Sequence, residues 1–127
     1  MRQVLYVSTS TDPGNQNDVD AILLQSRHNS AIDGMTGLLW VCGGRYLQVI
    51  EGESDAVGAT MSRIAGDPRH HTIETLIDRE IGKREFQSWS MVFCHSGEIA
   101  EQLNLRVRQM IKSSSTLVRL CFEELLA

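Results

Sequence analysis

The sequence predicts an α+β domain built around one mixed β-sheet. Three observations carry this. Five short stretches have period-two or continuously apolar character, two stretches of 3.6-residue apolar period lie between them, and a Gly43-Gly44 pair separates two of the strand-like stretches. Two more helical stretches follow the last strand. In 127 residues, with no repeat, no low-complexity tract and no linker before about residue 95, this amounts to one domain.

The elements follow from the residues in order. Gln3 to Ser8 is β-branched and aromatic enough for a first strand, and Asp12-Pro13-Gly14-Asn15 makes a loop. From Asn17, a candidate N-cap, the period becomes helical, with Val19, Ile22, Leu23 and Ser26 on one face. Thr36 to Cys42 is nearly continuously apolar, as in a strand covered on both faces; Gly43-Gly44 turns it into Arg45 to Glu51. Ser54 is placed to cap a second helix striped by Val57, Met61, Ile64 and Ala65 and ended by Pro68. Thr72 to Ile81 and Phe86 to Cys94 read as the last two strands. Ile99, Leu103, Val107, Met110 and Ile111 then share a helical face, and Leu117 to Leu126 forms a final helix. The order is βαββαββ with helices appended. Its first six elements have a ferredoxin-like arrangement, which places both crossover helices on one face of the sheet. The opposite face then needs a cover from the C-terminal helices or from a partner chain.

Composition narrows the function. Twelve Lys and Arg against sixteen Asp and Glu give a net charge of −4 at pH 7, which repels phosphate backbones and argues against a nucleic-acid partner. No apolar run approaches a bilayer span, the chain starts without a signal-peptide core, and Cys42, Cys94 and Cys121 lack CxxC spacing. A cytoplasmic location with free thiols and no membrane partner is the expectation. His70-His71 reads as a loop, and His28 and His95 lack ligand spacing, so no metal is expected. There is no phosphate loop, nucleophile elbow or carboxylate pair.

One feature resists a plain core. In Tyr46-Leu47-Gln48-Val49-Ile50 a carboxamide occupies the middle of an apolar strand, and burying it unpaired would cost about 1–3 kcal/mol. Tyr6 and Ser8 share a face of the first strand, and Trp89 and Met91 share a face of the last. Gln48 is therefore either satisfied within the fold, by a backbone edge or by Tyr6, or it belongs to a polar island that faces a ligand.

From residue 1 to about 95 the chain resembles the BLUF family of flavin-based blue-light sensors. The landmarks are Leu5-Tyr6-Val7-Ser8, Arg27-His28-Asn29, Asp33-Gly34-Met35-Thr36-Gly37-Leu38-Leu39, Leu47-Gln48-Val49-Ile50-Glu51-Gly52, Arg63-Ile64, Asp67-Pro68-Arg69-His70-His71 and Phe86-Gln87-Ser88-Trp89-Ser90-Met91. The resemblance implies an oxidised flavin held non-covalently between the two helices, with FAD first and FMN or riboflavin as alternatives. It implies that Tyr6 gives an electron and a proton to the excited flavin and that Gln48 switches its hydrogen bonds. The cofactor-binding set it implies is Tyr6, Ser8, Ile22, Asn29, Ser30, Leu39, Gln48, Arg63, Asp67, His70, Trp89 and Met91. One departure is Ser30, where many members carry a second Asn after the position of Asn29.

The resemblance also implies a division of labour, with residues 1–95 as photosensor and 96–127 as a helical output and oligomerisation segment. Some thirty residues are too few for an effector enzyme, so signalling through a homo-oligomer or a separate protein partner is expected. Two rivals stand beside this reading. A flavin-free adaptor has Ser30 as its support, and a small hydrolase lacks the Arg-bearing phosphate loop its chemistry requires.

Overall fold

A computed structural model describes residues 1–11, 20–22, 24–25, 34–42, 44–93, 105, 107–109, 111–112 and 114–126. Five strands, β1 (Arg2–Ser10), β2 (Thr36–Cys42), β3 (Arg45–Gly52), β4 (His70–Glu80) and β5 (Trp89–Phe93), form one sheet in the order β4-β1-β3-β2-β5. Helix α1 (Ser54–Ala65) joins β3 to β4, and helix α2 (Thr116–Leu126) closes the described chain. Residues 20–22 and 24–25 are helical between β1 and β2. β1 pairs antiparallel with β3 and β4, β2 antiparallel with β3, and β5 parallel with β2, so the sheet is mixed as predicted.

Strand alternation divides the core in two. Leu5, Leu38, Leu47 and Val49 point to one face, where Val107, Ile111, Val118 and Phe122 of the C-terminal segment bury them. The cover for this face is therefore the chain's own helical segment. Ile99, Leu103 and Met110 of the predicted stripe lie outside the described residues. Val4 and Ile50 point to the other face and pack with Met35 and Val57, while Leu39, Val41 and Tyr46 on that side meet Ile22. Both stretches between strands thus lie on one face of the sheet.

Element ends shift for local reasons. β1 runs two residues past Ser8 and β4 starts at His70 rather than Thr72, because Thr9 and Ser10 pair with His71 and His70. Helix α1 takes Glu53 as its N-cap with no side-chain cap bond, so Ser54 is its first helical residue and not its cap. β5 begins at Trp89 rather than Phe86. The N–H groups of Glu85 and Phe86 are held by the Glu51 carboxylate instead of a ladder (2.7 Å from Phe86 N to Oε1), and Phe86 is buried in the closed face. Gly37 is required where it stands. Its φ is +148°, and an added Cβ would lie 1.9 Å from the Val49 carbonyl oxygen.

Candidate functional site

A cleft between the helical residues 20–22 and 24–25 and α1 has the sheet as its floor. Its apolar walls are Ile22, Met35, Leu39 and Ile64, and its polar lining includes Tyr6, Tyr46, Gln48, Thr60 and His70, with Gln25, Arg63, Asp67 and Arg69 toward one end.

Gln48 and Tyr6 are directly paired across β3 and β1, so the register alone puts both side chains on the cleft face. The Tyr6 hydroxyl donates to Gln48 Oε1, and both residues are buried. The amide thereby presents its oxygen to the phenol. Among the described residues none accepts from its Nε2 group, which leaves two donor hydrogens for a ligand. Burial pushes the Tyr6 phenol well above its ordinary value, and the nearby charge of Asp67 adds to this, so the phenol stays protonated.

Behind Tyr6 stands His70, the first residue of β4. Its Nε2 lies 2.7 Å from the Ile64 carbonyl, which only accepts, so Nε2 donates there. Its Nδ1 is hydrogen-bonded to Ser8 Oγ at 2.8 Å. The ring stands edge-on to both Tyr6 and Tyr46, with centroids 6.4 and 6.0 Å away. At the mouth, Asp67 accepts from Arg69 Nε (2.9 Å) and from Arg69 N (3.0 Å). This hydrogen bonding holds the Asp67 carboxyl below the usual carboxylate range. Arg69 Nη2 also donates to Gln25 Oε1 at 2.6 Å, and Arg63 Nη2 to Thr60 Oγ1 at 3.0 Å.

Of the predicted site residues, Tyr6, Ile22, Leu39, Gln48, Arg63, Asp67 and His70 line the cleft, and Ser8 sits one hydrogen bond behind it. Trp89 and Met91 are on the cleft face of β5, packed near Leu39, Val41 and Tyr46, but neither lines the cleft. The buried Trp89 indole N–H has no hydrogen-bond partner among the described residues. Asn29 and Ser30 lie outside the described residues. The predicted site set lacked Gln25, Met35, Tyr46, Thr60, Ile64 and Arg69, which also line the cleft. The signal for Tyr46 was its place two residues before Gln48, hence on the same strand face; Thr60 and Arg69 read as ordinary helix and loop residues. His70 and His71, read as a loop, open β4, and no cluster of three His, Cys, Asp or Glu side chains able to hold a metal occurs among the described residues.

An α+β domain with a ligand cleft over its sheet, floored by a paired phenol and carboxamide, is the class that fold and site define. Residues 1–92 match the family model described as BLUF, sensors of blue-light using FAD, and the chain belongs to that family. It is a flavin-based blue-light sensor module. It is 32% identical over 87 residues, or 68% of its length, to the photoactivated adenylate cyclase subunit beta of Euglena gracilis, and spans about a tenth of the length of that relative. The solved BLUF domain of BlrP1 superposes with a TM-score of 0.75 at 22% identity, covering 95% of this chain and 86% of that one. The photo-activated state of BlsA gives 0.71 at 23%, covering 98% and 94%. At such identities these structures establish the fold alone.

The residues fit a flavin. Its flat ring system needs apolar walls, supplied by Ile22, Leu39 and Ile64, and its polar edge needs a group that both donates and accepts. Gln48 is such a group, with its donor nitrogen not taken by any described residue.

Proposed function

We propose that Tyr6 and Gln48 form the light-operated switch of this sensor and that residues 96–127 form its output. The observation that carries the reading is the buried hydrogen bond from the Tyr6 hydroxyl to Gln48 Oε1 on the floor of the cleft. When bound, an oxidised flavin (FAD first, FMN or riboflavin as alternatives) supplies the chromophore and the electron acceptor. Tyr6 is the donor. Burial keeps its phenol protonated in the dark, so losing an electron means giving up a proton as well, and Gln48 Oε1 is the acceptor its hydroxyl already meets. Both return to Tyr6, and Gln48 is left rotated or tautomerised, with donor and acceptor exchanged at the cleft and the absorption shifted to the red.

His70 and Ser8 brace Tyr6 from behind, Arg63 and Asp67 hold the sugar and phosphate end of the ligand, and Asn29 and Ser30 contribute to its polar edge. Trp89 and Met91 pass the change along β5. The C-terminal helices carry it to a homo-oligomer or a separate protein partner in the cytoplasm, without catalytic turnover of their own. No nucleic-acid or membrane partner enters the reading; among the described residues no helix is long and apolar enough to cross a membrane. Purified protein is expected to be yellow, with a visible spectrum that shifts reversibly under blue light. A colourless protein that takes up no added FAD, FMN or riboflavin would overturn the reading in favour of the adaptor.

A further inference from the structure

Away from the cleft, a second buried polar cluster joins four strands to the start of α2. Glu51, three residues after Gln48 on β3, is fully buried. Its carboxylate accepts from Thr36 Oγ1 (3.1 Å), from Gln3 Nε2 (3.1 Å) and from the backbone N–H groups of Glu85 (3.0 Å) and Phe86 (2.7 Å). The chain is therefore fixed to β3 just before it enters β5. Glu85 continues the cluster outward. Its carboxylate accepts from Gln3 Nε2, from Arg79 Nη2 of β4 (3.3 Å) and from Ser115 N (3.0 Å). Ser115 is the residue before α2, and its Oγ takes Val118 N at 3.3 Å and Arg79 Nη2 at 2.8 Å. It thus caps the helix that buries Val118 and Phe122 on the closed face.

Each link in this chain is a directed hydrogen bond, and several are charge-assisted, so it transmits displacement better than apolar contacts that can slide. We propose that Glu85 is a latch that couples the segment leading into β5 to the capped end of α2, so that movement of that segment frees or re-seats the helix. The proposal rests on the reading that residues 96–127 are the output. Glu85 is a positioning residue; it does not line the cleft.

The test is hydrogen–deuterium exchange of the flavin-loaded protein in the dark and under blue light, for the natural chain, Glu85→Ala, and Ser115→Ala, which keeps the backbone donor but loses the cap. In the natural chain, segments 84–90 and 115–121 are expected to change together on illumination. In Glu85→Ala, 115–121 should exchange roughly tenfold faster in the dark and no longer respond to light, while the red shift persists. Ser115→Ala should loosen 115–121 in the dark and leave its light response in place. The latch is overturned if 115–121 in Glu85→Ala stays protected in the dark, or if it responds to light as the natural chain does. A natural chain with a red shift but no change at 115–121 sinks the latch alone, whereas absence of any red shift sinks the switch reading instead.

Discussion

The two faces of one sheet are built from the same strands and do opposite work. On the closed face, Leu5, Leu38, Leu47 and Val49 meet Phe86, Val107, Ile111, Val118 and Phe122 with almost no exposed surface. On the other face the neighbouring positions of the same strands are Tyr6, Ser8 and Gln48, and the elements above them part into a cleft. Since alternate residues of a strand point to opposite sides, the chain puts a close-packed core under a site that must stay open to a ligand. The lesson is that stability and sensing are separable residue by residue along β1 and β3.

The largest expected effect comes from the closed side. Leu47→Ala should cost about 2–5 kcal/mol of folding free energy in a urea titration, while the light-induced shift per folded molecule stays unchanged. Leu39→Ala, on the cleft wall, should instead weaken flavin affinity more than it weakens the flavin-free fold; equal stability losses at Leu39 and Leu47 would break the comparison. Gln48→Leu leaves the Tyr6 hydroxyl without its acceptor, at a cost of about 1–3 kcal/mol, and should retain flavin yet lose the normal red shift.

A pH series sharpens the contrast between floor and mouth. Folding holds the Tyr6 phenol above its ordinary value, so its stabilising contribution is whole below about pH 10 and fades as pH rises beyond that. Tyr6→Phe should remove that alkaline sensitivity in thermal melts. Asp67 behaves in the opposite sense: its carboxyl is held low by Arg69, so its contribution is present above about pH 4 and is lost as pH falls through the lower folded value. Asp67→Asn should flatten the acid limb. The smallest effect belongs to the exposed edge, where Arg2 and Asp78 pair at 2.8 Å; Arg2→Ala should change stability by about 0–1 kcal/mol.

Much of this was legible in the residues. Alternation and apolar runs located the strands, and alternation placed Tyr6 and Ser8 on one face of β1, but that Gln48 joins them rests on the register of β1 against β3, which residues alone left open. The start of β5 was not legible. Phe86 looks like a strand residue, but its N–H and that of Glu85 are taken by a carboxylate 34 or 35 positions earlier, a tertiary contact with no local signature. The same holds for the cleft mouth, where Gln25 and Arg69 meet across 44 residues. Thr60 looked like an ordinary helix residue, and only the fold turns it toward Met35 and the ligand space.

The most direct measurement is the difference spectrum, blue light minus dark, of flavin-loaded Tyr6→Phe protein beside the natural chain. The account predicts a yellow variant with an unperturbed dark spectrum and no reversible red shift. A variant that still shifts and recovers as the natural protein does would show that the phenol above Gln48 is not the group that light acts through.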